Sequence, residues 1–206
     1  MAKANVGFVW SPRSNLELYG QTANVEAAKN NSVIIALAPD WSTTGSDGLL
    51  AELNFAATWN AGLEHPLFDD RTLVQMATTN AAKLVHLDKQ LGSLQEGFLA
   101  DVLVLNPTQL VQSNKDAYWT ITHSTPEEVA LVMVGGKPVY GDPTIMKQLT
   151  GMTTTLESIE ICGVQKSISF VEEFGGKHTF HETETMLRAA LRHWSRTLAS
   201  LSDCGT

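Results

Sequence analysis

VIIALAPDWSTTGS, residues 33–46, is an apolar run that ends in a proline, a lone carboxylate and a loop of small hydroxyl residues. Val33 to Ala38 shows no alternation of polar and apolar positions, the pattern of a parallel strand covered on both faces. The same texture occurs once earlier, at Val6 to Trp10, and stops at Ser11-Pro12, where proline fixes φ and removes a ladder donor. Between the two, SPRSNLELYGQT reads as a loop and VEAAKN as a short helix capped by Thr22 or Asn24, with Asn30-Asn31 turning the chain into the second strand. The order is strand, helix, strand.

Downstream of the carboxylate, Asp40, the residue Ser46 offers a helix cap, and Leu49, Leu50, Leu53, Ala56 and Ala57 share one helical face. A second helical region follows HPLFDD, starting at Asp69 or Asp70, with Leu73, Val74, Met76, Ala77, Ala81, Leu84 and Val85 at helical spacing. From Gly92 the texture is β, with a hairpin in VALVMVGGKPVYG turning at Gly135-Gly136, so a small β module is expected over about 90–145. Residues 150–177 are polar and mixed. Beyond them Met186, Leu187, Ala190, Leu191 and Trp194 form the stripe of an amphipathic helix expected to dock on the body.

Composition removes several function classes. The chain has 206 residues, 43% of them hydrophobic, enough for a sizeable core, and its 14 basic against 22 acidic residues leave a net charge of −8 with no basic stripe, which argues against a nucleic-acid partner. No apolar run approaches the roughly 20 residues of a membrane span, and MAKANVGFVW lacks the features of a signal peptide. Cys162 and Cys204 are far apart and outside any CxxC spacing, which suggests neither a disulfide framework nor a thiolate zinc site. A cytoplasmic protein with no membrane partner is the expectation.

Asp40 lies where parallel α/β folds gather their chemistry, beyond the carboxyl end of a strand, and there a carboxylate can bind a metal, accept a proton or cap a loop. Spacing alone favours the loop cap. Arg13, Ser14 and Asn15 follow the first strand in the same way and would face the same pocket if the two strands are neighbours; equally, Arg13 could pair with a surface carboxylate and Asn15 could make an Asx turn. None of the six histidines forms HxH or HExxH, and no GxGxxG, GKS/T or GxSxG motif is present.

Taken in order, VWSPRSNLELYG, IALAPDWSTTGS, LVQMATTNAAKLVHL and LGSLQEGFLADVLVLN resemble the carboxyl-terminal part of the amidohydrolase superfamily, in the branch that holds cytosine and guanine deaminases, triazine chlorohydrolases and imidazolonepropionase. The resemblance implies an α/β fold: the last strands and helices of a (β/α)8 barrel over 1–88, a β-sandwich segment over 89–145, and an extension with an amphipathic helix over 146–206. It implies hydrolysis of C–N bonds in a small-molecule substrate, a cyclic amide, an amidine or an aminated ring, with a divalent metal, zinc or iron. Asp40 matches the carboxylate that binds the metal and takes a proton from the attacking water, and Ser14 and Asn15 match the loop beside the substrate. The family's HxH and later metal ligands have no counterpart here, and a barrel takes roughly 200–250 residues, so about six of its eight strand–helix units are missing. The expectation is an incomplete barrel, inactive on its own, that forms a homo-oligomer or is completed by another chain; the alternative is a noncatalytic truncated module with an interaction role.

Overall fold

In the computed structural model, which describes all residues except 5, 108–114, 152–154, 170–176, 203, 205 and 206, the two apolar runs become short neighbouring strands. β1 (Phe8–Trp10) and β2 (Ile35–Leu37) are parallel, with Phe8 opposite Ile35 and Trp10 opposite Leu37. β2 is buried throughout, as its sequence requires, but Val9 of β1 is 56% exposed, so two-sided cover holds for one strand only. The segment read as a loop after β1 is a helix, α1 (Pro12–Tyr19). Proline fits its first position, where no N–H bond is required, and Gly20 ends it at φ 68° with its N–H on the Leu16 carbonyl. α2 (Val25–Asn30) follows, capped as expected by Asn24, which accepts the Ala27 N–H at 2.9 Å.

The chain divides into two compact units, Met1–Leu99 with Pro107–Thr125, and Ala100–Asn106 with Pro126–Thr206. In the first, Trp10 is fully buried against Trp59, Phe68 and the residues of β2 and α3 (Leu49–Ala61). α3 begins after Gly48 rather than at a Ser46 cap, and its buried face is Glu52, Leu53, Ala56, Ala57 and Asn60, with Leu49 left 41% exposed. The face is rotated from the one read in the sequence because two polar residues are turned inward. Asn60 is one of them: its Oδ1 accepts the N–H groups of Leu67 and Phe68 at 2.8 and 3.0 Å, and its Nδ2 donates to the Phe68 carbonyl at 2.8 Å.

Asp69 caps α4 (Asp70–Ala77), and what reads as one helical region breaks at Thr78 before α5 (Thr79–Leu84). Ala82 rather than Ala81 is buried, and Val85 is 62% exposed. Asn80 donates to the Ile35 carbonyl at 2.9 Å, tying α5 to β2. The first unit ends in α6 (Ala117–His123), a helix inside the region read as wholly β, joined to α4 by the Thr122 hydroxyl donating to Asp70 Oδ1 at 2.6 Å.

The second unit is an antiparallel sheet of β3 (Val102–Leu105), β4 (Val129–Val134), β5 (Lys137–Gly141), β6 (Glu157–Ile161) and β7 (Val164–Ile168), in the order β3-β4-β5-β7-β6. The β4–β5 turn at Gly135-Gly136 has both φ values positive, at 57° and 82°, as the sequence anticipates. β6 and β7 lie where the sequence reads as polar and mixed. Their signal is alternation: Ile159 and Ile161 are buried while Glu160 points out. On β7, Lys166 is 2% exposed and is satisfied by Asp142 Oδ1 at 2.6 Å and the Val129 carbonyl at 2.8 Å. The segment after β5 is α7 (Pro143–Thr150).

Two expectations about the last residues are overturned. Cys162 and Cys204 form a disulfide, so their spacing was no guide to their pairing. The stripe of α8 (Phe180–His193) is not docked: none of its residues is buried, and Met186 and Leu187 are 49% and 48% exposed. The helix is held at its ends instead, by a Thr179–Glu182 capping box, by Glu157, whose two oxygens accept the N–H groups of Phe180 and His181 at 2.7 and 3.0 Å, and by the disulfide beyond it. Among the described residues no helix is long and apolar enough to cross a membrane.

Two measurements check this packing. A Cβ on Gly141 would lie 2.4 Å from the Ala130 carbonyl oxygen and 3.0 Å from Leu131 Cα, backbone atoms of a paired strand, so Gly141→Ala is expected to cost about 1–3 kcal/mol in urea denaturation at unchanged m. Burial raises the Glu157 carboxyl, but the N–H groups of His181 and Phe180 and the Thr179 contact outweigh it and hold it below its ordinary 4.5. A depressed folded value means that the stabilisation is complete above 4.5 and is lost as pH falls through the lower folded value. The Phe180 and His181 amide NMR shifts are expected to report that acid transition, and Glu157→Gln to abolish it.

Candidate functional site

Parallel pairing makes β1 and β2 finish side by side, and two further bonds lock their carboxyl ends: the Ala38 N–H donates to the Trp10 carbonyl at 3.1 Å, and the Ser11 hydroxyl donates to the Ala38 carbonyl at 2.7 Å. The first turn of α1 then carries Ser14 to the loop after β2. Ser14 is 1% exposed, and its hydroxyl donates to Asp40 Oδ2 at 2.9 Å while lying 3.1 Å from Thr44 Oγ1. A hydroxyl has one proton, so with that of Ser14 committed to the carboxylate, Thr44 is the donor to Ser14. The result is a directed chain, Thr44 to Ser14 to Asp40, ending on an exposed carboxylate.

The loop is wound tightly enough to need glycine. The N–H groups of Thr44 and Gly45 both reach the Trp41 carbonyl, at 3.0 and 2.7 Å, and a Cβ on Gly45 would sit 3.1 Å from that oxygen and 3.2 Å from the Asp40 nitrogen. Trp41 itself is 68% exposed beside the carboxylate.

Asn15, the third residue expected at this place, has its Oδ1 on the Ala23 N–H at 3.2 Å and the Thr22 hydroxyl at 3.4 Å, and Thr22 in turn accepts Trp10 Nε1 at 2.7 Å. These bonds brace the connection from α1 to α2. Arg13 lies over the Phe55 ring at 4.8 Å. Glu52 is a residue the sequence reading passed over: wholly buried on α3, it accepts the Arg13 backbone N–H on Oε1 at 3.1 Å. A single acidic residue inside LLAEL was the available signal.

The histidines do not gather here. Among the described residues no three of His, Cys, Asp and Glu are placed to hold a metal ion, and the bond recorded on the Asp40 carboxylate comes from the neutral Ser14 hydroxyl. One carboxylate oxygen is not the three or more protein ligands that a zinc site takes, so the described residues do not by themselves fit a metal centre.

Residues 1–139 match the amidohydrolase family. The 5-methylthioadenosine/S-adenosylhomocysteine deaminase of Teredinibacter turnerae is 32% identical over 114 residues, 53% of this chain and 26% of that protein. The enzyme of the same name from Thermococcus kodakarensis is 32% identical over 109 residues, 52% of this chain and 25% of its own length. Among solved structures, E. coli guanine deaminase aligns with a TM-score of 0.60 at 23% identity, covering 68% of this chain and 35% of that one. An atrazine chlorohydrolase from Arthrobacter aurescens, complexed with zinc, aligns at 0.58 and 21%, covering 67% and 32%. At these identities the two solved structures speak for the fold alone. The chain spans about a quarter of the length of the two deaminases, at 26% and 25%. The resemblance carried by the ordered motifs and the family match over 1–139 agree: this chain belongs to the amidohydrolase family.

Proposed function

We propose that this chain is the carboxyl-terminal part of a metal-dependent amidohydrolase that hydrolyses C–N bonds in a small cyclic amide, an amidine or an aminated ring. In this reading 1–88 are the last strands and helices of a (β/α)8 barrel, 89–145 a β-sandwich segment, and 146–206 an extension with an amphipathic helix. Asp40 is the working carboxylate. The observation that carries this reading is its position beyond the carboxyl ends of two parallel strands, with one oxygen held by the buried Ser14 hydroxyl at 2.9 Å. Asp40 takes a proton from the attacking water and returns it to the leaving nitrogen, the service a positioned carboxylate gives in general acid–base catalysis. Ser14 orients it, and Asn15 holds the substrate-side loop in shape. In the whole protein Asp40 also contributes one oxygen to a divalent metal, zinc or iron, whose other ligands are not among the residues described.

The same reading makes this chain by itself inactive, and it leaves β1 short of cover: Val6 and Val9 are 51% and 56% exposed. A second copy or a complementing chain covers that strand. That exposed apolar edge equally supports a second reading, a noncatalytic module that self-associates through β1.

Two measurements separate the readings. Metal analysis of the purified 206-residue chain is expected to give far less than stoichiometric zinc or iron and no turnover; stoichiometric metal with hydrolysis would overturn the claim that this chain lacks a complete site. In a form completed by an HxH-bearing segment or partner, Asp40→Asn is expected to lower kcat by about 10²–10⁴ and Ser14→Ala by roughly tenfold, with circular dichroism unchanged. An Asp40→Asn protein with undiminished kcat at metal saturation would refute the role given to Asp40.

A further inference from the structure

We infer that Glu52 is a positioning residue: from inside α3 its carboxylate fixes the first turn of α1, and through that turn it sets the Ser14 hydroxyl on Asp40. The inference rests on the reading of Asp40 as the working carboxylate and adds a residue that the sequence motifs do not reach.

α1 does not cap itself. At its N-cap, Ser11 makes no side-chain bond to the helix; its hydroxyl is turned instead to the Ala38 carbonyl, to which it donates at 2.7 Å. Pro12 brings no N–H, so the first donor that needs a partner is the Arg13 N–H, and it receives Glu52 Oε1 from 39 residues further along the chain. Arg13 directly precedes Ser14. Holding its N–H therefore fixes the Pro12–Arg13 peptide plane, one residue ahead of the plane that leads into Ser14, and Ser14 has no slack, being 1% exposed and bonded at 2.9 and 3.1 Å on two sides.

Filling space does not account for a carboxylate at this position. Glu52 is 0% exposed, and a leucine would occupy similar volume without the cost of taking a polar carboxyl group out of water. Among the described residues its Oε2 has no hydrogen-bond partner, and neither has the buried Nε of Arg13 or the buried Oγ of Ser46, in the loop that runs from Asp40 to α3. The polar atoms of this junction are thus not arranged for their own satisfaction. The bond that is made, Glu52 to Arg13, is the one that registers α1 against α3.

The test uses Glu52→Leu, which removes the acceptor, and Glu52→Gln, which keeps an oxygen in place of Oε1. In NMR of the 206-residue chain, the Leu variant is expected to speed Arg13 amide exchange at least tenfold and to shift the Ser14 and Thr44 resonances, while the amides of α3 keep their protection. The Gln variant is expected to restore both. In the catalytically completed protein, Glu52→Leu should lower kcat about as much as Ser14→Ala with KM unchanged, and the double variant should be no worse than Glu52→Leu alone. Unmoved Ser14 and Thr44 resonances in a folded Leu variant, or kcat losses that multiply in the double variant, overturn the inference. If the Leu variant does not fold, Glu52→Asp withdraws the oxygens by one methylene and is read in the same way. The NMR result requires no turnover, so failure of the hydrolase reading and failure of the Glu52 inference are told apart.

Discussion

The site depends on one constraint: β1 and β2 run in the same direction and are stitched at the same end. A parallel pair delivers both chain exits to one edge, whereas an antiparallel pair would send them to opposite edges. The Ala38 N–H on the Trp10 carbonyl and the Ser11 hydroxyl on the Ala38 carbonyl carry the pairing one residue past the strands, at 3.1 and 2.7 Å. From that fixed edge the chain needs only the first turn of α1 and two residues after Ala38 to bring Ser14 and Asp40 together. Every contact at the site inherits its precision from those two bonds and from the buried Trp10 behind them.

The first unit is organised by buried and half-buried polar side chains as much as by its apolar core. Asn60 closes the turn at Leu67-Phe68, Asn80 serves the Ile35 carbonyl, Thr122 joins α6 to α4, and Glu52 serves α1. Each answers a backbone or side-chain group that would otherwise be buried without a partner, the costlier alternative. Hydrophobic burial brings the helices onto the short sheet, but it is not directional. The hydrogen-bonding side chains select one placement of each helix among the many that would bury similar area.

The sequence was most legible where one local rule acts alone. The apolar runs of β1 and β2, the Asn24 and Asp69 caps and the Gly135-Gly136 turn all follow from patterns within a few residues. It was least legible where a distant partner decides. SPRSNLELYGQT reads as a loop because Ser, Pro and Asn are turn residues, yet its first-turn donor is satisfied by Glu52, far along the chain, and the segment is helical. The reading of α3 caught Leu53, Ala56 and Ala57 but missed that its buried face also takes Glu52 and Asn60, which count as surface residues in any hydrophobic pattern. The hairpin of β6 and β7 was hidden by its glutamates and lysine, although Lys166 is buried through an ion pair that no spacing reveals. At the site, Asp40 and Ser14 stand out in the sequence because each follows an apolar run, and the resemblance to a family gives them expected roles; their juxtaposition needs the parallel register, which the sequence only suggests.

The proposed chemistry rests on the contrast between Ser14 and Asp40. The donor is sealed and the acceptor is open: Ser14 is 1% exposed, while Asp40 lies at the surface of the described structure. A sealed donor cannot swing away or exchange its bond for water, so it fixes one carboxylate oxygen and leaves the other face of the group free to meet a ligand. Under the proposed function this is pre-organisation in its simplest form, with the ordering cost met when the chain folds rather than when substrate arrives. It also shows why the carboxylate is half of a device. An open carboxylate held in one orientation supplies direction and a place for a proton, but no second or third donor converges on it from the described residues. The geometry is that of a group prepared for partners on the far side of its open face.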